Sequence, residues 1–372
     1  MSNLSLPSHT PVGGPAAWRS HSVDWKTECL HVLSPPELDE IDRALTHLKA
    51  LGDLDLTDIT RSSFPLTVTA DLLARVKDNL RSGRGFVMLR GLPRHRYSAD
   101  DMARIYFGLG AYLGRSMVQS YQGERLGHVI DQTDLQDKSR GYHTGGHMGM
   151  HTDSCDVVGL MCLRRARSGG ASRIASAVAL HDALLATRPD VLDTLYRGFF
   201  YRRMDLDAQF GSGRVLSRQR VPVFTRQGHA AASVACYFLG GYARSAAARG
   251  DATLTDDELE AITCVERLAE SPDFYVDMDF AEGDIQFLNN RLVLHGRTDY
   301  EDAEEVAERR HLLRLWLAVP EWPPLPEAQV FHTAEDHEKW GQRRQPGMEL
   351  PSTYMQRLQA LAIQRRGQTP TT

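Results

Sequence analysis

The sequence predicts a mainly β protein, a sandwich or barrel core with helices flanking it. Three observations carry that expectation. From about residue 115 onward, short apolar runs alternate with glycine-containing turns. Only a few amphipathic helical patterns accompany them, most placed before the runs begin. No repeat of fixed period is visible, which argues against a solenoid or a propeller.

The elements follow in order. Residues 1–20 are rich in Pro, Gly and Ser and are expected to form a mobile arm, with a single domain over 21–372. In PPELDEIDRALTHLKALG, Leu38, Ile41, Leu45 and Leu48 recur at helical spacing behind Pro35 and Pro36. A second helix is expected from about Thr69 to Leu80, ended by SGRG, and GFVMLRGLP then forms a buried strand. SADDMARIYFGLGAYLG reads as a third helix with Ser98 as its cap. The expected strands beyond it are LGHVID, MHTDSCDVVGLMCLRR, SRIASAV, GFFYRRMD, VPVFTR, AASVACYFL, FYVDMDF, DIQFLNN and RHLLRLWLAV. Two helices interrupt them, ALHDALLATRPDVLDTLY and TDDELEAITCVERLAES, and a proline-bearing tail with a polar helical segment follows.

Bulk properties narrow the class. The 372 residues are 42% hydrophobic and 24% charged, with a formal net charge of −5. No basic block marks a nucleic-acid or anionic-membrane partner. No run approaches the roughly 18 apolar residues that span a bilayer. The N-terminus lacks the charged start and apolar core of a signal peptide. Five scattered cysteines without a CxxC pair suit free thiols in a reducing cytoplasm. A homo-oligomer is compatible with all of this.

The chemistry concentrates in GYHTGGHMGMHTD, residues 141–153. On a helix, His143, His147 and His151 would form one stripe and hold zinc. Gly145, Gly146 and Gly149 lie between them, each costing ~1 kcal/mol in a helix interior. An extended segment instead places His151 and Asp153 on one face, about 7 Å apart along the backbone. A His-x-Asp pair supplies two ligands of the facial triad used by non-haem iron(II) oxygenases. Among the later histidines, His295 stands out, at the end of FLNNRLVLHGR beside Gly296. In ERRHLLRLWLAV, alternation puts Arg310, Leu312, Arg314 and Trp316 on one face. An inward guanidinium needs an anion, and a dicarboxylate or a distant Asp or Glu would serve.

These residues together resemble the TauD/TfdA family of iron(II)- and 2-oxoglutarate-dependent dioxygenases. The likeness runs over about residues 85–320 and includes GGASRIASAVALHDAL and FLNNRLVLHGRTDYED. It implies a double-stranded β-helix core of jelly-roll type. It implies iron(II), 2-oxoglutarate and O2, with release of succinate and CO2. By position, His151, Asp153 and His295 match the iron ligands. Arg310 matches the arginine facing the far carboxylate of 2-oxoglutarate, and Ser172 a threonine at the same carboxylate. Arg314 matches a second arginine near the substrate anion and the keto-acid end. The acidic insert DYEDAEEVAE lengthens the interval after His295, so Arg309 competes with Arg310 for the inward place; parity with Arg314 favours Arg310.

A carboxylate at Asp153 points to hydroxylation, desaturation or ring closure, because halogenating relatives carry a small residue there. His147 matches a substrate-contacting position, while His143 and His147 also suit backbone hydrogen bonding in a glycine-rich loop. Gln119, Tyr121, Asp131, Gln132 and Tyr142 fall where relatives line the pocket, and this polar set suits an amino acid or another small zwitterion. The competing readings are the zinc site on His143, His147 and His151, and a metal-binding jelly roll without catalysis.

Overall fold

A computed structural model describes residues 10–135, 143–226 and 234–368. Two β-sheets face one another. A seven-stranded sheet runs in the order Leu30–Val32, Phe86–Arg90, Ile285–Asn289, Val157–Arg164, His311–Ala318 and Arg115–Ser116, with Leu126–Val129 also paired to the 311–318 strand. A four-stranded sheet runs Tyr275–Met278, Ser172–Ser176, Val293–Arg297, Met148–His151. Strands far apart in sequence become neighbours, as a jelly roll requires.

Three apolar layers hold the sheets in place. Helices Pro35–Ala50, Val68–Ser82 and Ala99–Leu113 pack through Leu45, Leu73, Ile105 and Leu109 on the outside of the larger sheet. Between the sheets lie Val158, Cys162, Ile174, Met278, Leu312 and Trp316. Helices Ala177–Thr187, Pro189–Arg197, Gly240–Ala248 and Asp256–Ala269 cover the smaller sheet. The 311–318 strand shows the alternation clearly: Leu313, Leu315 and Leu317 face the helices, whereas Leu312 and Trp316 face the partner sheet.

Local chemistry explains the helix boundaries. Ser34 and Glu37 form a reciprocal capping box at the first long helix, and Thr255 with Glu258 does the same at Asp256–Ala269. Ser98 caps Ala99–Leu113 as expected. The single helix expected over 179–196 is two, broken at Arg188, because Pro189 cannot donate to the preceding turn. GFFYRRMD makes only the isolated bridges Phe199↔Val221 and Arg202↔Leu216. Its arginines bond side-on instead, Arg203 to Asp336 in a fully buried pair and Arg202 to Asp205 and Asp251.

Part of the segment expected to be a mobile arm lies against the body. Asp182 accepts from the backbone N–H groups of Val12 and Gly13, each at 2.8 Å, and Trp18 is buried against Phe86. Among the described residues no helix is long and apolar enough to cross a membrane.

Candidate metal centre and its cleft

The antiparallel pairing of Met148–His151 with Val293–Arg297 sets His151 directly opposite His295. Asp153 follows two residues beyond His151. One ligand atom from each of the three lies within 4.8 Å of the others, and they are the sole such cluster among the described residues. His295 Nε2 is 3.6 Å from Asp153 Oδ2, and His151 Nε2 is 4.0 Å from Asp153 Oδ1. Two donors each about 2.1 Å from one ion stand at most about 4.2 Å apart, so the set could close on a single metal.

The surrounding bonds aim these atoms. His151 Nδ1 donates to the Gly149 carbonyl at 2.9 Å, which leaves the Nε2 lone pair facing Asp153. Asn290 clamps the Asp153 backbone: its Oδ1 accepts from the Asp153 N–H at 2.8 Å, and its Nδ2 donates to the carbonyls of Asp153 and Cys155. Trp316 Nε1 donates to Asp153 Oδ2 at 2.8 Å, with Arg314 Nη1 3.5 Å away. Burial alone would raise the Asp153 carboxyl, but Arg314 and the two imidazoles outweigh it and hold the group well below the usual carboxylate range. Burial, then the neighbouring His295, lowers His151 to about 4, so its ring is neutral near pH 7. A neutral imidazole and an ionised carboxylate are the ligand states a divalent ion needs.

Adjacent arginines at the start of the 311–318 strand take opposite roles. Arg309 makes a bidentate pair with Asp134, both bonds 2.6 Å, and also donates to the Asp131 carbonyl. Arg310 is buried, and its guanidinium has one bond, from Nη2 to the Gly170 carbonyl at 3.2 Å; Nη1 has no partner. Burial, reinforced by the charge of Arg297, lowers Arg310 to about 10. Gly170 sits at φ +74°, and a Cβ there would come within 2.9 Å of Arg310 Nε, so this approach requires glycine. Ser172, buried in the facing sheet, donates to Gln286 Oε1 at 2.9 Å. A buried guanidinium without a carboxylate in contact fits an anionic cosubstrate, which the donor set and this cation could hold together.

A cavity of about 570 Å³ adjoins His151 and Asp153 and is walled by Gln119, His147, Asp207, Glu270, Arg314 and His332 among others. Ser172 and Arg310 do not line it. Gln119 brackets Arg314, accepting from its Nε at 2.9 Å and donating to its carbonyl at 2.9 Å. His147 faces Glu270 at 3.3 Å, and Glu270 also pairs with Arg173.

Three residues expected at the pocket are elsewhere. Tyr121 stacks on Phe210 and lines a separate cavity of about 260 Å³, together with His143. Asp131 caps Thr133, and Gln132 donates to the Tyr354 hydroxyl at 2.6 Å. Tyr142 lies outside the described residues. His143, His147 and His151 are not gathered around one point, so the zinc stripe has no geometric basis among the described residues. Sequence reasoning missed the roles of Trp316 and Asn290; Trp316 shares the parity of Arg310 and Arg314, which was a usable signal. Asp207, Glu270 and His332 come from a short helix, a helix end and the tail, and left no local signal.

Known proteins resemble this chain in sequence and fold. The family model "Taurine catabolism dioxygenase TauD, TfdA family" matches residues 52–316. The chain is 29% identical over 339 residues to FR-33289 synthase of Streptomyces rubellomurinus, covering 90% of this chain and 96% of that protein. Its fold is similar to that of asparagine oxygenase in complex with Fe(II), 2S,3S-3-hydroxyasparagine and succinate, with a TM-score of 0.61 at 15% identity over 78% of this chain and 94% of that one. It is also similar to the non-heme iron oxygenase OrfP in complex with Fe and alpha-ketoglutaric acid, with a TM-score of 0.56 at 14% identity over 82% and 100% of the two chains.

Proposed function

The chain belongs to the TauD/TfdA family, an iron(II)- and 2-oxoglutarate-dependent dioxygenase of small molecules, and from that premise we propose how its own residues do the work. His151, Asp153 and His295 hold the iron. Arg310 and Ser172 hold the far carboxylate of 2-oxoglutarate. When bound, iron(II), 2-oxoglutarate and O2 supply the oxidising power, with succinate and CO2 as coproducts. The protein presents a neutral His151 imidazole, keeps Asp153 ionised, and positions a substrate C–H bond in the 570 Å³ cavity. The observation that carries this reading is the two-nitrogen, one-oxygen cluster within 4.8 Å, with the buried, incompletely bonded Arg310 four residues before Arg314.

The substrate is a small zwitterion of amino-acid type. Arg314, held by Gln119 beside Asp153, takes its anionic group, while Asp207 and Glu270 on the same cavity wall favour a cationic one. The hydroxyasparagine bound to asparagine oxygenase supports the same class. The carboxylate at Asp153 favours hydroxylation or a related C–H oxidation over halogenation. Five buried, unpaired cysteines support a cytoplasmic enzyme.

A substrate panel read by succinate release tests this. Amino acids and related zwitterions should stimulate succinate formation well above the uncoupled background. Stimulation by taurine or aryloxyacetates alone would overturn the substrate assignment and leave the metal assignment standing.

A further inference from the structure

Arg297 completes the motif LHGR two residues after His295, on the same face of the same strand, and its register partner is Ser172. It is buried, yet only one of its three guanidinium nitrogens is used. Nη2 donates to the carbonyls of Thr144, at 2.7 Å, and Gly146. Nε and Nη1 are buried and have no hydrogen-bond partner.

Arg310 reaches the same neighbourhood from the other sheet. The Arg297 guanidinium lies 4.6 Å from the Tyr300 ring centre and that of Arg310 lies 5.1 Å from it. Their charges are close enough that Arg297 is a leading cause of the lowering at Arg310, after burial. The acids nearby form no ion pair with either guanidinium, although Asp302 Oδ2 is itself buried without a hydrogen-bond partner. Asp302 Oδ1 accepts from the Arg310 backbone N–H, Asp131 Oδ1 caps Thr133, and Asp299 is exposed. No carboxylate among the described residues comes within ion-pair distance of either guanidinium. Three buried guanidinium nitrogens on two cations therefore stand unmet near Ser172. A purely structural arginine would not leave two nitrogens unbonded next to a second buried cation, since each costs free energy without return.

We propose that Arg297 is a second guanidinium of the cosubstrate receptor, so that the far carboxylate of 2-oxoglutarate is held between Arg310 and Arg297, with Ser172 beside them. This rests on the reading of Arg310 given above. Because Arg297 also grips the Thr144 and Gly146 carbonyls, it ties the loop leading into the His151 strand to the occupied receptor. The empty receptor holds two like charges, so a dicarboxylate stabilises the fold as well as binding to it.

Anaerobic titration of the iron(II) protein with 2-oxoglutarate, by calorimetry, reads the affinity directly, and thermal melts with and without succinate read the receptor apart from turnover. Arg297→Met should weaken 2-oxoglutarate at least about tenfold, leave iron(II) content unchanged, and abolish the succinate-induced rise in Tm. Should Arg297→Met not fold, Arg297→Lys serves: it keeps the charge but loses the fork, and should give an intermediate weakening. An affinity within twofold of wild type, with the succinate-induced rise in Tm intact, would reduce Arg297 to a loop anchor and overturn the proposal. Arg310→Met separates the two levels. If it weakens 2-oxoglutarate while the Arg297 variants do not, only the present inference fails; if it too is silent, the cosubstrate reading itself is lost.

Discussion

The metal-ligand cluster and the buried arginine pair satisfy their polar atoms in opposite ways. Around Asp153 the bonds are almost complete: Asn290 holds the backbone, Trp316 and Arg314 hold the carboxylate, and Gly149 fixes the His151 ring, whereas His295 Nδ1 nearby has no partner. Around Arg310 and Arg297 three buried guanidinium nitrogens have no hydrogen-bond partner, while Asp134 is spent on Arg309 one residue away. A closed network fixes geometry before the ion arrives, whereas an open one stores an unmet demand for an anion. The contrast separates a preorganised ligand set from a receptor.

The comparison can be broken most forcefully at its closed end. Asp153→Ala should cost iron retention and succinate formation more than the roughly 10–100-fold expected from losing an outer-shell partner. Metal content after anaerobic reconstitution checks it, and near-normal iron in this variant would move the site elsewhere. Next in size is the open end. Arg310→Ala should raise the 2-oxoglutarate Kd by about 10–150-fold, from loss of a charge-assisted bond of ~1.5–3 kcal/mol. Arg309→Ala, which breaks the Asp134 pair, should leave that Kd within about twofold and lower Tm instead. Reversal of these two outcomes would exchange the arginines' roles.

Trp316→Phe sharpens the comparison further. It removes one bond to Asp153 and keeps the ring, so iron affinity should fall by about tenfold. No change in a competition titration against a metal chelator would mean that the closed network is looser than its distances imply.

A separate effect, outside the site, concerns the other face of the 311–318 strand, where His128 Nδ1 and His311 Nε2 share a 2.8 Å hydrogen bond. Burial lowers His128 to about 4 and His311 well below its ordinary value. On unfolding each returns to about 6.5, so from there down to about 4 the unfolded chain binds more protons. Stability should therefore fall as pH drops below about 6.5, by up to about 1.4 kcal/mol per unit for each histidine, and be insensitive to them above it. Melts from pH 7.5 to 4.5 should show that slope, flattened in His128→Gln; an unaltered slope would count against the buried neutral pair.

Much of this was legible in the sequence, for identifiable reasons. Strand parity placed Arg310, Leu312, Arg314 and Trp316 on the inter-sheet face, because period two leaves little freedom in a strand buried on both sides. Three glycines ruled out the histidine helix. The caps at Ser98 and the patterns of the first three helices also read directly. What was not legible depends on distant chain. Arg203 leaves the expected strand over 198–205 for Asp336, more than a hundred residues away. Tyr121, Asp131 and Gln132 precede the metal strand but are drawn off by Phe210, Thr133 and Tyr354. Glu270 and His332 reach the cavity through tertiary packing that no local pattern encodes.

The central claim is that His151, Asp153 and His295 bind one iron(II) on which 2-oxoglutarate docks. The visible charge-transfer absorption of the anaerobic iron(II) protein on adding 2-oxoglutarate measures it most directly. The expected band saturates at one equivalent of iron, vanishes in His295→Ala, and in Arg310→Ala needs at least about tenfold more 2-oxoglutarate. A band of wild-type intensity and midpoint in His295→Ala would contradict it.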